Sequence, residues 1–159
     1  MAAERPIAVR AVAPVVRPVE LGLAVRTLPH LNEVVFLAQL LARGAAVVDA
    51  AAADLSIDTQ FVMAYDAART LSLMLVRAEG YRPRSVGGHY NTFLALEAVD
   101  PSFVELSAYF DGCRIKRNEC EYDFAGGISE TDADGLLRTV QKFAVSCEAW
   151  IKDRHPEFS

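Results

Sequence analysis

IDTQFVMAYDAARTLSLMLVRAEG, residues 57–80, is the stretch on which the fold turns. Phe61, Ala64, Tyr65, Ala68, Leu71, Met74 and Leu75 recur at steps of three and four, the spacing of neighbouring positions on an α-helix. Other apolar residues fill the angles between them, so the helix is apolar nearly all round. Such a helix must be covered on every side, which predicts a central, buried helix in a bundle. Ser56 stands just ahead of it, and Gly80 occupies a good position for the left-handed residue that stops it. Asp66 and Arg69 sit one turn apart inside this apolar helix, as an internal ion pair would; a second reading has Asp66 orienting an arginine from another helix.

The flanking segments read as further helices. One runs from about His30 to Ala53, with Leu31, Val34, Val35, Leu41 and Val48 as core candidates and an alanine-rich end suited to close packing. YRPRSVGG (81–88) reads as a turn, followed by a short helix from His89 to about Val99. Pro101 suits the first turn of a fourth helix, and the loop AGGIS (125–129) ends it. Ser129 or Thr131 can cap a last helix from about Asp132 to Asp153, where Leu136, Val140, Phe143, Cys147, Trp150 and Ile151 keep helical spacing. No strand alternation, repeat or low-complexity tract stands out. The expected fold is all-α: four long helices and a short one over residues 28–154, behind a proline-rich arm at 1–27. Pro6, Pro14 and Pro18 forbid a continuous helix in that arm and favour extended backbone. It is expected either to be disordered or to lay Val9, Val12, Val15 and Val16 along the core or a partner.

With 159 residues, 52% of them hydrophobic, the chain can bury one domain core. Its net charge of −5 argues against a protein that coats nucleic acid nonspecifically. A local basic pocket remains open, because a site feels charges only within about a Debye length, roughly 8–10 Å. Cys113, Cys120 and Cys147 form neither a paired framework nor a metal knuckle, so buried free thiols are expected, with no metal and no cofactor. No apolar run reaches the ~18 residues that span a bilayer. Glu4, Arg5, Arg10 and Arg17 interrupt the apolar stretches of the N-terminus, unlike a signal peptide. A cytoplasmic protein without a membrane role is expected.

RIKRNECEYD, residues 114–123, carries the candidate chemistry. At about 100° per residue, Phe103, Leu106, Phe110, Cys113, Cys120 and Phe124 form one stripe, and the member missing from the series is Arg117. An arginine in a helix seam needs a partner, a wet pocket or an anionic ligand. Val104, Ala108, Ile115 and Tyr122 make a second apolar face on the opposite side. A helix with two apolar faces packs twice, and a second subunit is the simplest second neighbour. The plain alternative is surface pairing, Arg117 with Glu121 and Lys116 with Glu119, worth a few tenths of a kcal/mol. Gly112 in mid-helix costs about 1 kcal/mol against alanine and suggests a close approach or a bend. Arg77, Arg82 and Arg84 cluster near the 81–88 turn and could follow a nucleic-acid backbone.

Arg117-Asn118-Glu119-Cys120-Glu121, late in the penultimate long helix of a small bundle, resembles the motif of the HEPN family, in which Arg, commonly followed by Asn, precedes a His by about four to six residues. AYDAARTLSLMLVRAEGYRP (64–83) and GHYNTFLAL (88–96) are similar to segments of bacterial HEPN proteins, and KRNECEYD (116–123) to a Lys-Arg-Asn-x-x-x-Tyr-Asp branch; the likeness spans roughly 30–153. It implies a homodimer whose two Arg motifs face one cleft through the helix carrying Arg117. Family members include metal-independent endoribonucleases of toxin–antitoxin or defence systems, some paired with a nucleotidyltransferase, and noncatalytic binding modules. Carried over, Arg117 holds the scissile phosphate and Asn118 orients the site. Tyr122 stands where the family has its histidine, and a hydroxyl near pKa ~10 is a poor general base at neutral pH. His89 is the nearest replacement. Arg114, Lys116, His89, Arg82 and Arg84 are the expected contacts to RNA or nucleotide phosphate, with Asp66 as the orienting carboxylate. Three expectations stand: an RNA-directed nuclease or toxin, a noncatalytic module that docks a nucleotidyltransferase or nucleotide, and a helical dimer with no such ligand.

Overall fold

The computed structural model describes residue 22 and residues 24–26, 32–123 and 127–158, with side chains described at 39, 42–50, 52–119 and 127–157. It is an all-α bundle. The order is β1 (Ala24–Arg26), α1 (Asn32–Ala51), α2 (Ile57–Ala78), β2 (Tyr81–Pro83), α3 (Gly88–Val99), α4 (Val104–Asp123) and α5 (Glu130–Arg154). Short 3₁₀ turns at Pro101–Phe103 and Pro156–Phe158 precede α4 and follow α5. Among the described residues, no helix is long and apolar enough to cross a membrane.

α2 is the central helix, packed against α1, α3, α4 and α5. Its expected core residues, from Phe61 to Leu75, are all buried. The Ser56 hydroxyl accepts from the Thr59 amide at the N-terminus, and Gly80 follows the C-terminus at φ 81°. Its buried hydroxyls bond back to the helix: Ser72 Oγ donates to the Ala68 carbonyl and Thr70 Oγ1 to that of Asp66, both at 2.8 Å. α1 comes close at Gly44, where a Cβ would lie 2.8 Å from Leu71 Cδ2. On α1, Val48 is buried as expected, whereas Leu31, Val34, Val35 and Leu41 lie outside the described side chains.

A chain of aromatic rings joins the helices. Tyr65 meets Phe93 of α3 at 6.0 Å between centroids, Phe93 meets Phe110 of α4 at 5.6 Å, and Phe110 meets Phe143 of α5 at 5.3 Å. Each contact adds about 0.5–1.5 kcal/mol beyond the area it buries. The Ser107 hydroxyl fixes α4 to α3 by donating to the Phe93 carbonyl at 2.7 Å. At the other end, the Trp150 indole N–H donates to Asp100 at 2.8 Å, and Arg154 lies 3.2 Å from the same carboxylate.

Two expectations need correction. Residues 81–88 are not turn alone: β2 pairs antiparallel with β1, with Val25 opposite Arg82 and Arg26 opposite Tyr81. Three-residue strands are too short to show alternation in a sequence. Gly112 makes no close approach among the described residues, since a Cβ there would meet none of them within 4 Å. The rest of the arm, with Val9, Val12, Val15 and Val16, lies outside the described residues.

Lys116 does not pair along its own helix with Glu119; its ammonium crosses to Asp132 of α5. Asp132 also completes a capping box with Ser129, whose hydroxyl accepts from the Asp132 amide at 3.1 Å. The Lys116 ammonium and the Ser129 hydroxyl and amide hold the Asp132 carboxyl down at about 2, against an ordinary 3.8. A depressed folded-state pKa adds stability that is complete above the unfolded value and vanishes as pH falls through the folded one. Denaturant titrations from pH 5 to 2 should therefore show a stability loss that Asp132→Asn flattens. At pH 7, Ser129→Ala should cost about 1 kcal/mol.

Candidate functional site

The site grows from the exposed end of the aromatic chain. Tyr65 is fully buried on α2, yet its ring lies under a cation: the Arg117 guanidinium carbon of α4 is 5.4 Å from the ring centroid. This resolves the seam position noticed in the sequence. Arg117 is half-buried against an aromatic face, a contact worth about 0.5–2 kcal/mol depending on its desolvation. The Tyr65 hydroxyl is 3.1 Å from His89 Nδ1, near the start of α3. One tyrosine thus couples the arginine of α4 to the histidine of α3.

The electrostatics follow from burial and from the arginines. Burial pushes the Tyr65 hydroxyl up to about 12 despite the pull of Arg117 and Arg69, so it stays protonated at neutral pH. Burial also lowers the His89 pKa, and Arg69 and Arg117 lower it further by repelling imidazolium. At neutral pH the imidazole is mostly uncharged and able to accept a proton. Asp66 opposes that shift and is the nearby acidic influence, but no ion pair joins it to Arg69 among the described residues.

Beside His89 opens a cleft of about 530 Å³, lined by Arg69 and Arg77 of α2, Arg82 and Pro83 of β2, Arg84, and Thr92 of α3. Arg77, Arg82 and Arg84 therefore do converge, as their clustering suggested. Arg69 joins them, which its place in an apolar helix concealed. Arg114 stands on the same side of the assembly, its guanidinium 5.5 Å from the Tyr90 ring centroid and 2.6 Å from Asp111. Asn118 is half-buried beside Arg117.

Lys116 is set apart, since it is bound to Asp132 and lines a separate small pocket with Phe61, Tyr109 and Cys113. The side chain of Tyr122 lies outside the described residues, as do those of Cys120 and Glu121. Tyr65 is the functional candidate that the sequence reading placed in the core alone. Its sole signal was a hydroxyl in an otherwise apolar stripe. Cys113 and Cys147 are free and buried, and burial raises both thiols above their ordinary range, to about 11 for Cys113, so neither is a thiolate nucleophile at neutral pH.

Compared with known proteins, the chain matches no family model, no curated protein and no solved structure. The arrangement itself can bind an oxyanion at Arg117 and exchange a proton at His89. Replacing Arg69 or Arg117 by Gln should raise the His89 pKa toward 6.5, because each removes a charge that disfavours imidazolium. A pH titration of the His89 ring signals by NMR reads this directly; an unchanged midpoint in both variants would contradict the coupling.

Proposed function

We propose that this chain is an RNA-directed protein of the HEPN kind, a toxin-like endoribonuclease in which His89 supplies the proton acceptor absent from the helix of Arg117. The observation that carries the reading is the Arg117–Tyr65–His89 assembly, which sets a cation and a neutral imidazole about one tyrosine ring. Arg117 would neutralise a phosphodiester and stabilise charge developing on phosphorus. In the tautomer whose Nδ1–H donates to the Tyr65 oxygen, His89 Nε2 is left bare to take the proton of a ribose 2′-hydroxyl. The 2′-oxygen then bonds to phosphorus, the P–O5′ bond breaks, and the departing 5′-oxygen takes a proton from solvent. A 2′,3′-cyclic phosphate and a 5′-hydroxyl end result. Asn118 and Arg114 flank this position and would orient the strand.

The outer face of α4 favours a homodimer. Val104, Ala108, Gly112 and Ile115 follow one another at helical spacing and are all exposed in the single chain. The open space over Gly112 suits the close approach of a second α4, which would bring two Arg117 sites into one assembly. Light scattering should give a dimer, and Ile115→Glu should give a monomer with helical content intact. A wild-type monomer at assay concentration contradicts this arrangement.

Induction in cells tests the chemistry. Wild type should slow growth and fragment RNA, while Arg117→Ala and His89→Gln should each reduce cleavage about 10²-fold or more. Purified protein should cut RNA in the presence of a chelator, leaving cyclic phosphate ends. If wild type and both variants grow alike with intact RNA, yet wild type retards RNA in a gel, the noncatalytic binding module is the correct reading.

A further inference from the structure

The cleft beside His89 gathers more positive charge than one internal phosphodiester balances. Arg69 and Arg77 project from one face of α2, eight residues apart, with Leu73 between them on the cleft wall. Arg82 of β2 and Arg84 just beyond the strand both line the cleft. Arg77 is engaged by a further contact, so Arg69, Arg82 and Arg84 carry the argument, and no carboxylate joins the lining among the described residues. The Nε of Arg69 is buried and lacks a hydrogen-bond partner among the described residues, an arrangement that a bound acceptor would complete.

The start of α3 adds to the same field. Its N-cap is Gly87, in left-handed conformation at φ 70°, which offers no side chain to the amides of the first turn. Gly88 and His89 of that turn line the cleft. The Gly88 amide donates to the Ser85 carbonyl at 3.2 Å, and the positive end of the helix dipole points the site toward an anion, independently of the arginines.

Charge density selects the class of anion. An internal nucleotide brings one negative charge, and a single terminal phosphate about −1.5 to −2. A polyphosphate places several charges on adjacent phosphorus atoms, which suits guanidinium groups converging on a space of roughly nucleotide size. We propose that this cleft binds the 5′-polyphosphate of a nucleotide, carried either by an RNA end or by a free nucleoside triphosphate. For an RNA end the proposal rests on the RNA-directed reading above. His89 borders both places, so a strand anchored by its 5′ end in the cleft continues toward Arg117.

Fluorescence anisotropy with the full chain tests this. One labelled RNA oligonucleotide is compared with a 5′-hydroxyl, a 5′-monophosphate and a 5′-triphosphate, and unlabelled GTP is titrated as competitor. The triphosphate end should bind at least tenfold more tightly than the hydroxyl end. Arg82→Ala combined with Arg84→Ala should bring that ratio close to one. Arg138→Ala, an exposed arginine that does not line the cleft, should leave the ratio unchanged. Thermal melts check folding, and Arg84→Ala alone is the second variant, in which a partial loss is expected.

Competition by GTP as strong as by the triphosphate RNA assigns the cleft to free nucleotides; strong binding by the RNA alone assigns it to RNA ends. Either supports the proposal. Equal affinity for all three ends, without displacement by GTP, overturns it. The measurement is separate from the cleavage reading: Arg117→Ala should reduce cutting about 10²-fold or more and still show the preference for the triphosphate end. Loss of cleavage in every assay would leave the binding result standing.

Discussion

Arg117 rests on the face of Tyr65, and much of the bundle is arranged to keep that ring where it is. Tyr65 is fully buried in the helix that the other helices surround, and its ring is held edge-on by Phe93. Phe93 is held in turn by Phe110 on the helix that carries Arg117. The aromatic chain therefore fixes both partners of the cation–π contact at once. A buried tyrosine with a pKa near 12 keeps its proton at neutral pH, so it serves as a rigid connector and not as a base. The reactive capacity passes to its neighbours on either side, the guanidinium and the imidazole.

The overall acidity of the chain is no obstacle to an anion site, because its charges are sorted in space. Several cations are spent on structure: Lys116 on Asp132, Lys152 on Glu148, and Arg154 near Asp100 and Glu79. These pairs tie α5 to α4, to the end of α3 at Asp100 and to the end of α2 at Glu79, or lie along α5 itself. The cleft arginines come from α2 and from the segment just after it, where no carboxylate joins the lining among the described residues. Within a Debye length of the cleft an anion meets a positive field that the net charge of −5 does not report.

What could be read in the sequence was what short-range chemistry encodes. Ser56, Gly80 and Ser129 mark helix ends by local hydrogen bonding or backbone freedom, and Pro101 opens a 3₁₀ turn before α4 instead of the helix proper. Strict periodicity exposed α2 as central and Arg117 as a cation in an apolar stripe. Contacts made across helices left no such trace. Glu119 lies within one turn of Lys116, yet Asp132 holds it, because the packing of α4 on α5 brings the second carboxylate closer. The ribbon of β1 and β2 escaped because three residues cannot display a period of two. Tyr65 was legible as core and illegible as connector, since its hydroxyl bond to His89 spans 24 positions along the chain.

The placement of the histidine matters for the proposed chemistry. A base on the same helix as the phosphate-binding arginine would move with it. His89 stands on α3, and its position relative to Arg117 depends on the α2 ring between them. Burial and the arginines lower the His89 pKa and keep the imidazole mostly neutral at neutral pH. A phosphate entering beside Arg117 would cancel part of that positive field and raise the proton affinity of His89 as the 2′-hydroxyl arrives. The proposed base would thus be weakest without substrate and would strengthen on binding, through the same arginines proposed to recruit the anion. That coupling requires no movement of the backbone, only a tyrosine buried firmly enough to hold both groups.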